Sequence, residues 1–268
     1  MERPIRKLGV NCDSIRGMHP TETLKLMQEV GFEAYFTGAY TRAAVAPIKK
    51  AGDALGLTLN SLHAPFGGIN NLWKPGMSYR AVYKQILETI DAAAENGIPA
   101  IVLHVSSGWN APEITDLGLS RYDALVEYAE DRGVQIAFEN LRMLGNLACL
   151  TDRYKKVPHV MYCLDIGHQH CYTPTINWMD IFRDRLLLTH IHDNFGIQRE
   201  YQEDTDTHYL PFDGDVDYAQ MMRDLDKYGY TGNLTLEIFN TTRPEYREMT
   251  PEAFLKTAYE RLVRISKM

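Results

Sequence analysis

The chain has 268 residues, of which 45% are apolar, so it can form a substantial hydrophobic core and is not intrinsically disordered. Its formal net charge of -7 argues against non-specific binding of nucleic acid, because duplexes are held mainly by Lys and Arg side chains. No apolar run is long enough for a signal peptide or a membrane span, and the four cysteines show no paired-motif spacing (Cys12, Cys149, Cys163 and Cys171). We therefore expect a cytoplasmic protein that has no membrane partner.

Short apolar segments alternate with longer amphipathic segments along the chain. The short segments predict eight strands, in chain order Lys7–Cys12, Glu33–Phe36, Leu57–His63, Ala100–His104, Val134–Glu139, Val160–Asp165, Leu186–His192 and Leu234–Phe239. Apolar residues recur at three- and four-residue intervals in the segments between them, as in Tyr79–Asn96 and Ser120–Arg132. These segments predict helices.

Eight consecutive strand-then-helix units predict a parallel sheet that closes into a barrel. An open, doubly wound sheet is the alternative, but it usually carries a Gly-rich phosphate loop after its first strand. The chain has Asp13-Ser14-Ile15-Arg16-Gly17 there, which lacks that pattern. We expect an α/β protein with a (β/α)8 TIM-barrel fold, in which residues 1–268 form a single domain. The longest irregular segment, Asn194 to Asp217, follows the seventh strand and is a candidate active-site loop.

Six consecutive predicted strands end in a histidine or a carboxylate after an apolar run. These residues are His63, His104, Glu139, Asp165, the pair His190 and His192, and Glu237. In a TIM barrel the carboxyl ends of all strands meet at one mouth, and that face carries the active site. Any one of these residues is equally well explained as a hydrogen-bonded polar residue at the rim. All of them together at one mouth would leave buried charge unpaired unless a cation neutralised it.

Oxygen and nitrogen donors without a thiolate suit Mn²⁺, Mg²⁺, Co²⁺ or Zn²⁺. The pattern therefore predicts a divalent-metal site at the barrel mouth. His190 and His192 share one face of their strand, so either could bind the metal. Glu139, Asp165, His190 and Glu237 are the predicted ligands, with His192 as a polar neighbour of His190. Cys163 and Cys171 flank the sixth-strand motif and are interpreted as packing residues.

Further residues near these strand ends are candidates for the same site. His168 follows Asp165 by three residues, and Asp206 and His208 lie in the long loop after the seventh strand. A capping or surface role for His168 and a solvated loop for the pair remain open. Aromatic residues, one histidine and one cation near the ligands are candidates for the walls of a substrate pocket: Phe66, Trp73, Trp109, His192, Phe195 and Arg142. Packing explains the aromatics at least as often, and a surface salt bridge is the alternative for Arg142.

The chain resembles the xylose-isomerase-like TIM barrels, which include sugar isomerases, sugar epimerases and the apurinic endonuclease IV enzymes. The resemblance lies in Glu139-Asn140, Cys163-Leu164-Asp165-Ile166-Gly167-His168, His190-Ile191-His192-Asp193 and Leu236-Glu237. It implies that one metal ion is held by Glu139, Asp165, His190 and Glu237, as in the isomerase and epimerase members. It also implies a homodimer as one form of assembly. The chain departs from the ketose 3-epimerases, because Asn194-Phe195-Gly196-Ile197-Gln198 stands before Arg199 where they have an earlier Arg.

The endonuclease branch of the resemblance implies a larger ligand set for three zinc ions. Its counterparts in this chain are His63, His104, His168, Asp206 and His208. The resemblance is therefore shared between two branches with different chemistry.

The favoured hypothesis is a metal-dependent isomerase or epimerase that acts on a sugar, a sugar phosphate or a related hydroxy-ketone. In this hypothesis the metal ion polarises the substrate and stabilises an enediolate, while Glu139 and Glu237 transfer the proton. The alternative is a zinc-dependent phosphodiesterase of the endonuclease IV type, which the acidic charge and the lack of a basic loop disfavour. A lyase or dehydratase would use the same residues, so the sequence does not separate it from the isomerase.

Overall fold

The computed structural model describes residues 4–197 and 205–268. Eight parallel strands form one sheet in the spatial order β7-β6-β5-β4-β3-β2-β1-β8. The strands are β1 (Leu8–Asn11), β2 (Ala34–Thr37), β3 (Thr58–His63), β4 (Ala100–Leu103), β5 (Gln135–Glu139), β6 (Val160–Asp165), β7 (Leu186–His190) and β8 (Leu234–Leu236). The two ends of the sheet meet where Ile191 N donates to Thr235 O at 2.9 Å and Glu237 N donates to Ile191 O at 3.0 Å. The predicted TIM barrel is confirmed, and the open doubly wound sheet is excluded.

Helices follow the strands around the outside of the barrel. They are α1 (Pro20–Val30), α2 (Arg42–Ala54), α3 (Arg80–Glu95), α4 (Asp116–Glu130), α5 (Leu144–Arg153), α6 (Ile166–Tyr172), α7 (Trp178–Phe182), α8 (Tyr218–Lys227), α9 (Pro244–Glu248) and α10 (Pro251–Ser266), with 3-10 turns at Ile69–Trp73 and Arg183–Arg185. No helix of the described residues is long and apolar enough to span a bilayer. All four cysteines are free, and Cys163 and Cys171 are buried as predicted.

Several element boundaries differ from the sequence prediction by one to four residues, and two of them have clear local reasons. Helix α4 begins at Asp116 rather than at Ser120, because the Thr115 hydroxyl accepts a hydrogen bond from Gly118 N and so caps the helix earlier. Strand β8 ends at Leu236 rather than at Phe239, because Ile238 N donates to the Asn11 side chain at 3.0 Å instead of to a neighbouring strand.

Side-chain alternation along the strands decides what faces the inside of the barrel. Small and aliphatic residues of four adjacent strands form a cluster separate from the main core, namely Ala100, Val102, Ala137, Cys163 and Leu188. Since successive side chains of a strand point to opposite faces, the residue two positions after each of these points inward as well. Those next positions are His104, Glu139, Asp165 and His190. The fold therefore turns the polar strand ends toward a common axis.

The loop between β3 and α3 is fixed by one buried arginine. Arg121 on α4 is 9% exposed, and its Nη1 donates to the carbonyl oxygens of Asn71, Leu72 and Lys74 at 2.8–3.1 Å. Its guanidinium also lies 3.6 Å from the centroid of the Tyr79 ring. This one side chain thus satisfies the carbonyl groups at the end of the 3-10 turn.

We expect Arg121→Met to lower the free energy of unfolding by about 3 kcal/mol, because it leaves these buried carbonyl groups without a donor. Urea denaturation followed by circular dichroism measures this change. Arg16→Met is the matched control, because Arg16 is exposed, and we expect its effect to stay within about 0.5 kcal/mol. Equal stability of the two variants would contradict the structural role of Arg121.

Candidate functional site

Four predicted ligands converge at the carboxyl ends of the strands. Glu139, Asp165, His190 and Glu237 each offer a donor atom within 4.8 Å of the other three, and we call them the primary donor group. The strand register brings them together, since Asp165 lies opposite His190 in the β6–β7 pair. Phe36 of β2 supports the group from the other side, with its ring stacked on the His190 ring at a centroid distance of 4.5 Å.

Glu139 is the centre of this group and is fully buried. Its Oε1 lies 2.6 Å from His190 Nδ1, and its Oε2 lies 2.6 Å from His104 Nε2 and 3.5 Å from His63 Nε2. His190 Nδ1 is also 3.2 Å from Glu237 Oε2. The two oxygens of one buried carboxylate therefore face three imidazole rings.

The close contacts between carboxylates and imidazoles shift the pKa values of Glu139 and His190. Burial alone would raise the pKa of Glu139, but His190, His104 and His63 bring that pKa well below its ordinary value. Burial would likewise lower the pKa of His190, but Cys163, Glu237 and Glu139 around it raise that pKa well above its ordinary value. The buried Glu139 carboxylate is thus held ionised, and it needs compensating positive charge.

The donor set fits a divalent cation. Buried polar atoms normally have hydrogen-bond partners, yet Asp165 Oδ2 and His190 Nε2 have none among the described residues. Three carboxylates and one imidazole are ligands that Mn²⁺, Co²⁺ and Zn²⁺ accept, and no thiolate takes part in the group. The separation of the donor atoms also allows all four to approach one ion.

A second donor group lies beside the first. It consists of His168, His192, Asp206 and His208, whose donor atoms also lie within 4.8 Å of one another. His168 Nε2 is 3.1 Å from Asp206 Oδ2, and His208 Nε2 is 3.3 Å from Asp206 Oδ1. His192 Nε2 lies between the groups, 3.1 Å from Asp165 Oδ1 and 3.5 Å from Asp206 Oδ1.

The second donor group changes the interpretation of three residues. His192 is a member of this group and does not act merely as a polar neighbour of His190. His168 is buried, so it is not a surface histidine, and the loop that carries Asp206 and His208 folds over the barrel rather than into solvent. Burial would lower the pKa of His208, but Asp206 raises it to about 9.

Asp165 and two residues near it, Asn140 and Gly167, position the histidines that lie between the two donor groups. Asp165 Oδ1 caps α6 by accepting the His168 N–H at 2.7 Å, which fixes His168 one turn above it. Asn140 joins β5 to β6 through reciprocal 2.8 Å hydrogen bonds with the Asp165 backbone, and its carbonyl oxygen lies 3.0 Å from His168 Nδ1. Gly167 leaves room for the His192 ring, which a Cβ at that position would approach to 2.0 Å.

A cavity of about 400 Å³ opens above both groups. Its walls combine candidate ligand side chains with two phenylalanine rings, and they are formed by His63, Phe66, His104, Ser107, Gly108, Arg142, His168, Asp206, His208, Glu237 and Phe239. Glu237 lines the cavity, whereas Glu139 lies beneath it. Arg142 is also part of the wall, with its guanidinium 4.1 Å from the centroid of the Tyr172 ring.

The aromatic residues predicted for the pocket divide into three kinds. Phe66 lines the cavity and stacks on His104 at a centroid distance of 4.4 Å. Trp73 does not, because it is buried in the core, where its indole N–H donates to Val105 O and its ring packs on Tyr122. Trp109 and Phe195 are about half exposed at the rim and do not line the cavity. The expectation of a pocket role for Trp73 is therefore wrong.

Some cavity residues were not identified from the sequence. Phe239 follows Glu237 by two positions, so strand alternation was the signal that could have identified it. Ser107 and Gly108 lie just beyond the β4 strand end and carried no comparable signal. Gln198 and Arg199, where the chain departs from the ketose 3-epimerases, lie outside the described residues.

We expect Glu139→Gln to weaken divalent-metal binding, because it removes the carboxylate that lies at the centre of the primary donor group. For the unsubstituted protein, an ion at 100 times its dissociation constant should add about 2.7 kcal/mol to stability, and the variant should lose most of this gain. Elemental mass spectrometry and thermal melting with and without Mn²⁺ or Zn²⁺ measure both effects. Glu127→Gln, on the exposed face of α4, is the control and should behave like the unsubstituted protein.

The chain is similar to several known proteins. A protein of Sinorhizobium fredii is 30% identical over 193 residues, which are 67% of this chain and 58% of that protein. Fructoselysine 3-epimerase of Escherichia coli O157:H7 is 28% identical over 145 residues, 51% of this chain and 48% of the enzyme. Inosose isomerase of Halalkalibacterium halodurans is 24% identical over 195 residues, 68% of this chain and 66% of the enzyme. The match thus spans less than two thirds of the length of each of these relatives.

The solved structures agree with the fold. A xylose isomerase domain protein from Planctomyces limnophilus superposes with a TM-score of 0.75 at 19% identity, covering 99% of this chain and 98% of that one. The sequence profile of the family described as "Xylose isomerase-like TIM barrel" matches residues 24–261. That match covers most of the chain and includes every residue of both donor groups, so the protein belongs to the xylose isomerase-like TIM barrel family.

Proposed function

We propose that the protein is a divalent-metal-dependent isomerase or epimerase of a sugar, a sugar phosphate or a related hydroxy-ketone. The observation that carries the proposal is the primary donor group, whose member Glu237 lines a cavity large enough for a small carbohydrate. Relatives named as a fructoselysine epimerase and an inosose isomerase support the same class of reaction.

Glu139, Asp165, His190 and Glu237 would hold the ion. When bound, a divalent ion supplies Lewis-acid polarisation of a carbonyl group and stabilises negative charge on neighbouring oxygens. The identity of the ion, whether Mn, Zn, Co or Mg, is left to measurement.

Glu237 is the residue that we assign to proton transfer from carbon. It is the only carboxylate of the primary donor group among the described residues that line the cavity, so a substrate can reach it. Its pKa, which burial alone would raise, is lowered by His190, so the carboxylate is ionised. Glu139 was predicted to share this role, but both of its oxygens already contact imidazole nitrogens at 2.6 Å. We therefore assign proton transfer to Glu237 first, and a share of Glu139 in that transfer stays a prediction.

The cavity walls suit a polyhydroxylated substrate. His63 and Arg142 offer polar atoms to the cavity, and Phe66 and Phe239 offer apolar faces against which the carbon side of a sugar can lie. A homodimer, a cytoplasmic location and a single domain over residues 1–268 remain predictions from the sequence.

We expect the metal-loaded protein to exchange a substrate C–H for deuterium when it is incubated with a panel of ketoses and ketose phosphates in deuterated buffer. Glu237→Gln should lower the exchange rate per bound metal ion by about 10²–10⁴-fold, because it removes the general base. Proton NMR follows the exchange, and elemental mass spectrometry gives the bound metal in each sample. Glu248→Gln, an exposed change on α9, is the control. Undiminished exchange in Glu237→Gln that retains its metal would contradict this role.

A zinc-dependent phosphodiesterase is the second candidate, and the second donor group favours it. His168, Asp206 and His208 offer one set of donors, while His63 and His104 approach the same Glu139 carboxylate that serves the primary donor group. Two or three neighbouring ions could therefore be held around shared carboxylates, an arrangement that suits in-line displacement at phosphorus.

If this second candidate is correct, protein loaded with two or more zinc ions per chain will cleave bis(p-nitrophenyl) phosphate and an oligonucleotide that contains an abasic site. His208→Ala should then abolish cleavage, whereas His19→Gln at the exposed start of α1 should not. Release of p-nitrophenol and gel analysis measure the two reactions. Absence of cleavage by protein that carries its full zinc complement would exclude the phosphodiesterase.

A further inference from the structure

We infer that Asp193 is a positioning residue whose buried carboxylate determines where Asp206 and His208 lie, and with them the second donor group. The inference rests on the proposed function, in which that group binds an ion beside the primary site. Asp193 belongs to neither donor group and does not line the cavity. It follows His192 directly, so its side chain points away from the face that carries the ligands.

The carboxylate of Asp193 binds three backbone N–H groups of one folded segment. Oδ1 accepts from Asn194 N at 2.9 Å and from Val216 N at 3.1 Å, and Oδ2 accepts from Phe212 N at 2.7 Å. The side chain is fully buried, so in this environment an N–H group that loses its partner is costly. One side chain thus fixes two distant points of the segment 205–216 to the end of β7.

The backbone of Asp193 fixes further points of the same segment. Its N–H donates to Tyr209 O at 2.9 Å, and its carbonyl oxygen accepts from Tyr209 N at 3.0 Å. The Thr207 hydroxyl also donates to the Asp193 carbonyl oxygen at 3.3 Å. Thr207 and Tyr209 flank His208, and Thr207 directly follows Asp206. The contacts of Asp193 therefore lie immediately beside both donors.

The conformation that Asp193 holds is one that the segment would not adopt without support. His208 and Phe212 have φ values of 46° and 73°, a left-handed region that costs non-glycine residues free energy. Gly214 passes so close to the anchor that a Cβ there would lie 2.4 Å from Asp193 Oδ1 and 2.3 Å from Asn194 O. The hydrogen bonds to Asp193 compensate for this strain and keep His208 turned toward His192, with the two rings stacked at a centroid distance of 3.9 Å.

Asp193→Asn tests the inference, because an amide nitrogen takes the place of one carboxylate oxygen and cannot accept a hydrogen bond. The variant therefore loses either the bond from Phe212 N or the bond from Val216 N. We expect the variant to keep the ion of the primary donor group and to bind the second ion about 10–100-fold more weakly, the usual effect of losing a residue that orients metal ligands. Zinc titration with elemental mass spectrometry measures both affinities. Gly214→Ala disturbs the same anchor from the other side and should give the same selective loss. Asp217→Asn, an exposed charge change at the cap of α8, should change neither affinity.

A double substitution separates positioning from a general loss of stability. If Asp193 acts by positioning His208 and Asp206, the loss of second-ion affinity in Asp193→Asn combined with His208→Ala should be smaller than the sum of the two separate losses. Additive losses of second-ion affinity in the double variant would overturn the inference, as would second-ion affinity within about twofold of the unsubstituted protein in both Asp193→Asn and Gly214→Ala.

A measurement on metal-free protein tests the inference apart from metal binding. Carbethoxylation of histidines, mapped by peptide mass spectrometry, should be about tenfold faster at His208 in Asp193→Asn than in the unsubstituted protein and unchanged at His63 and His104. If the unsubstituted protein binds only one ion per chain, the metal role of the second donor group fails, while faster modification of His208 still supports the positioning role. Unchanged modification of His208 would overturn it.

Discussion

The arrangement of the site depends on one buried carboxylate. Glu139 lies at the axis of the barrel mouth, and its two oxygens contact His190 and His104 at 2.6 Å. A carboxylate in this position is costly unless positive charge surrounds it, and each imidazole that approaches it needs a partner in turn. Glu237 is the second carboxylate partner of His190, and Asp165 is a carboxylate partner of His192. A divalent cation satisfies all of these groups together, which is why the metal hypothesis explains the site better than any pairwise ion pair does.

The barrel produces this convergence through a simple rule. Residues two apart on a strand share a face, so the small side chains inside the barrel at Ala137, Cys163 and Leu188 lead directly to Glu139, Asp165 and His190 at the mouth. Parallel pairing then sets neighbouring strand ends side by side. The apolar interior and the polar mouth are consequently parts of the same alternating pattern, and a shift of one residue in any strand would turn its ligand outward.

The second donor group has a different structural origin. His168 and His192 are held by the barrel itself, through the Asp165 cap and the end of β7, whereas Asp206 and His208 come from the connection between β7 and β8. Loops at this face of a TIM barrel vary with function while the strands stay constant. The described part of this connection before α8, residues 205–216, is held by hydrogen bonds to Asp193 and contains no helix and no named strand. The difference between a one-metal isomerase and a phosphodiesterase with several ions thus depends on a segment that regular secondary structure does not stabilise.

The sequence by itself determined the fold class and the residues of the primary donor group. Eight alternating segments and six polar strand ends predicted the barrel and its polar mouth, because strand periodicity and the common orientation of parallel strands are local properties that fix where side chains emerge. The choice of His190 over His192 rested on the family resemblance. The sequence did not determine that His192 belongs with His168, Asp206 and His208, that Trp73 lies in the core, or that Asp193 anchors a loop. Those facts depend on contacts between residues distant in the chain, such as Val216 N with Asp193 and Trp73 with Tyr122, and no periodic pattern encodes them. Only the tertiary structure decided them, because the conformation of an irregular loop is set by which buried acceptors its N–H groups reach.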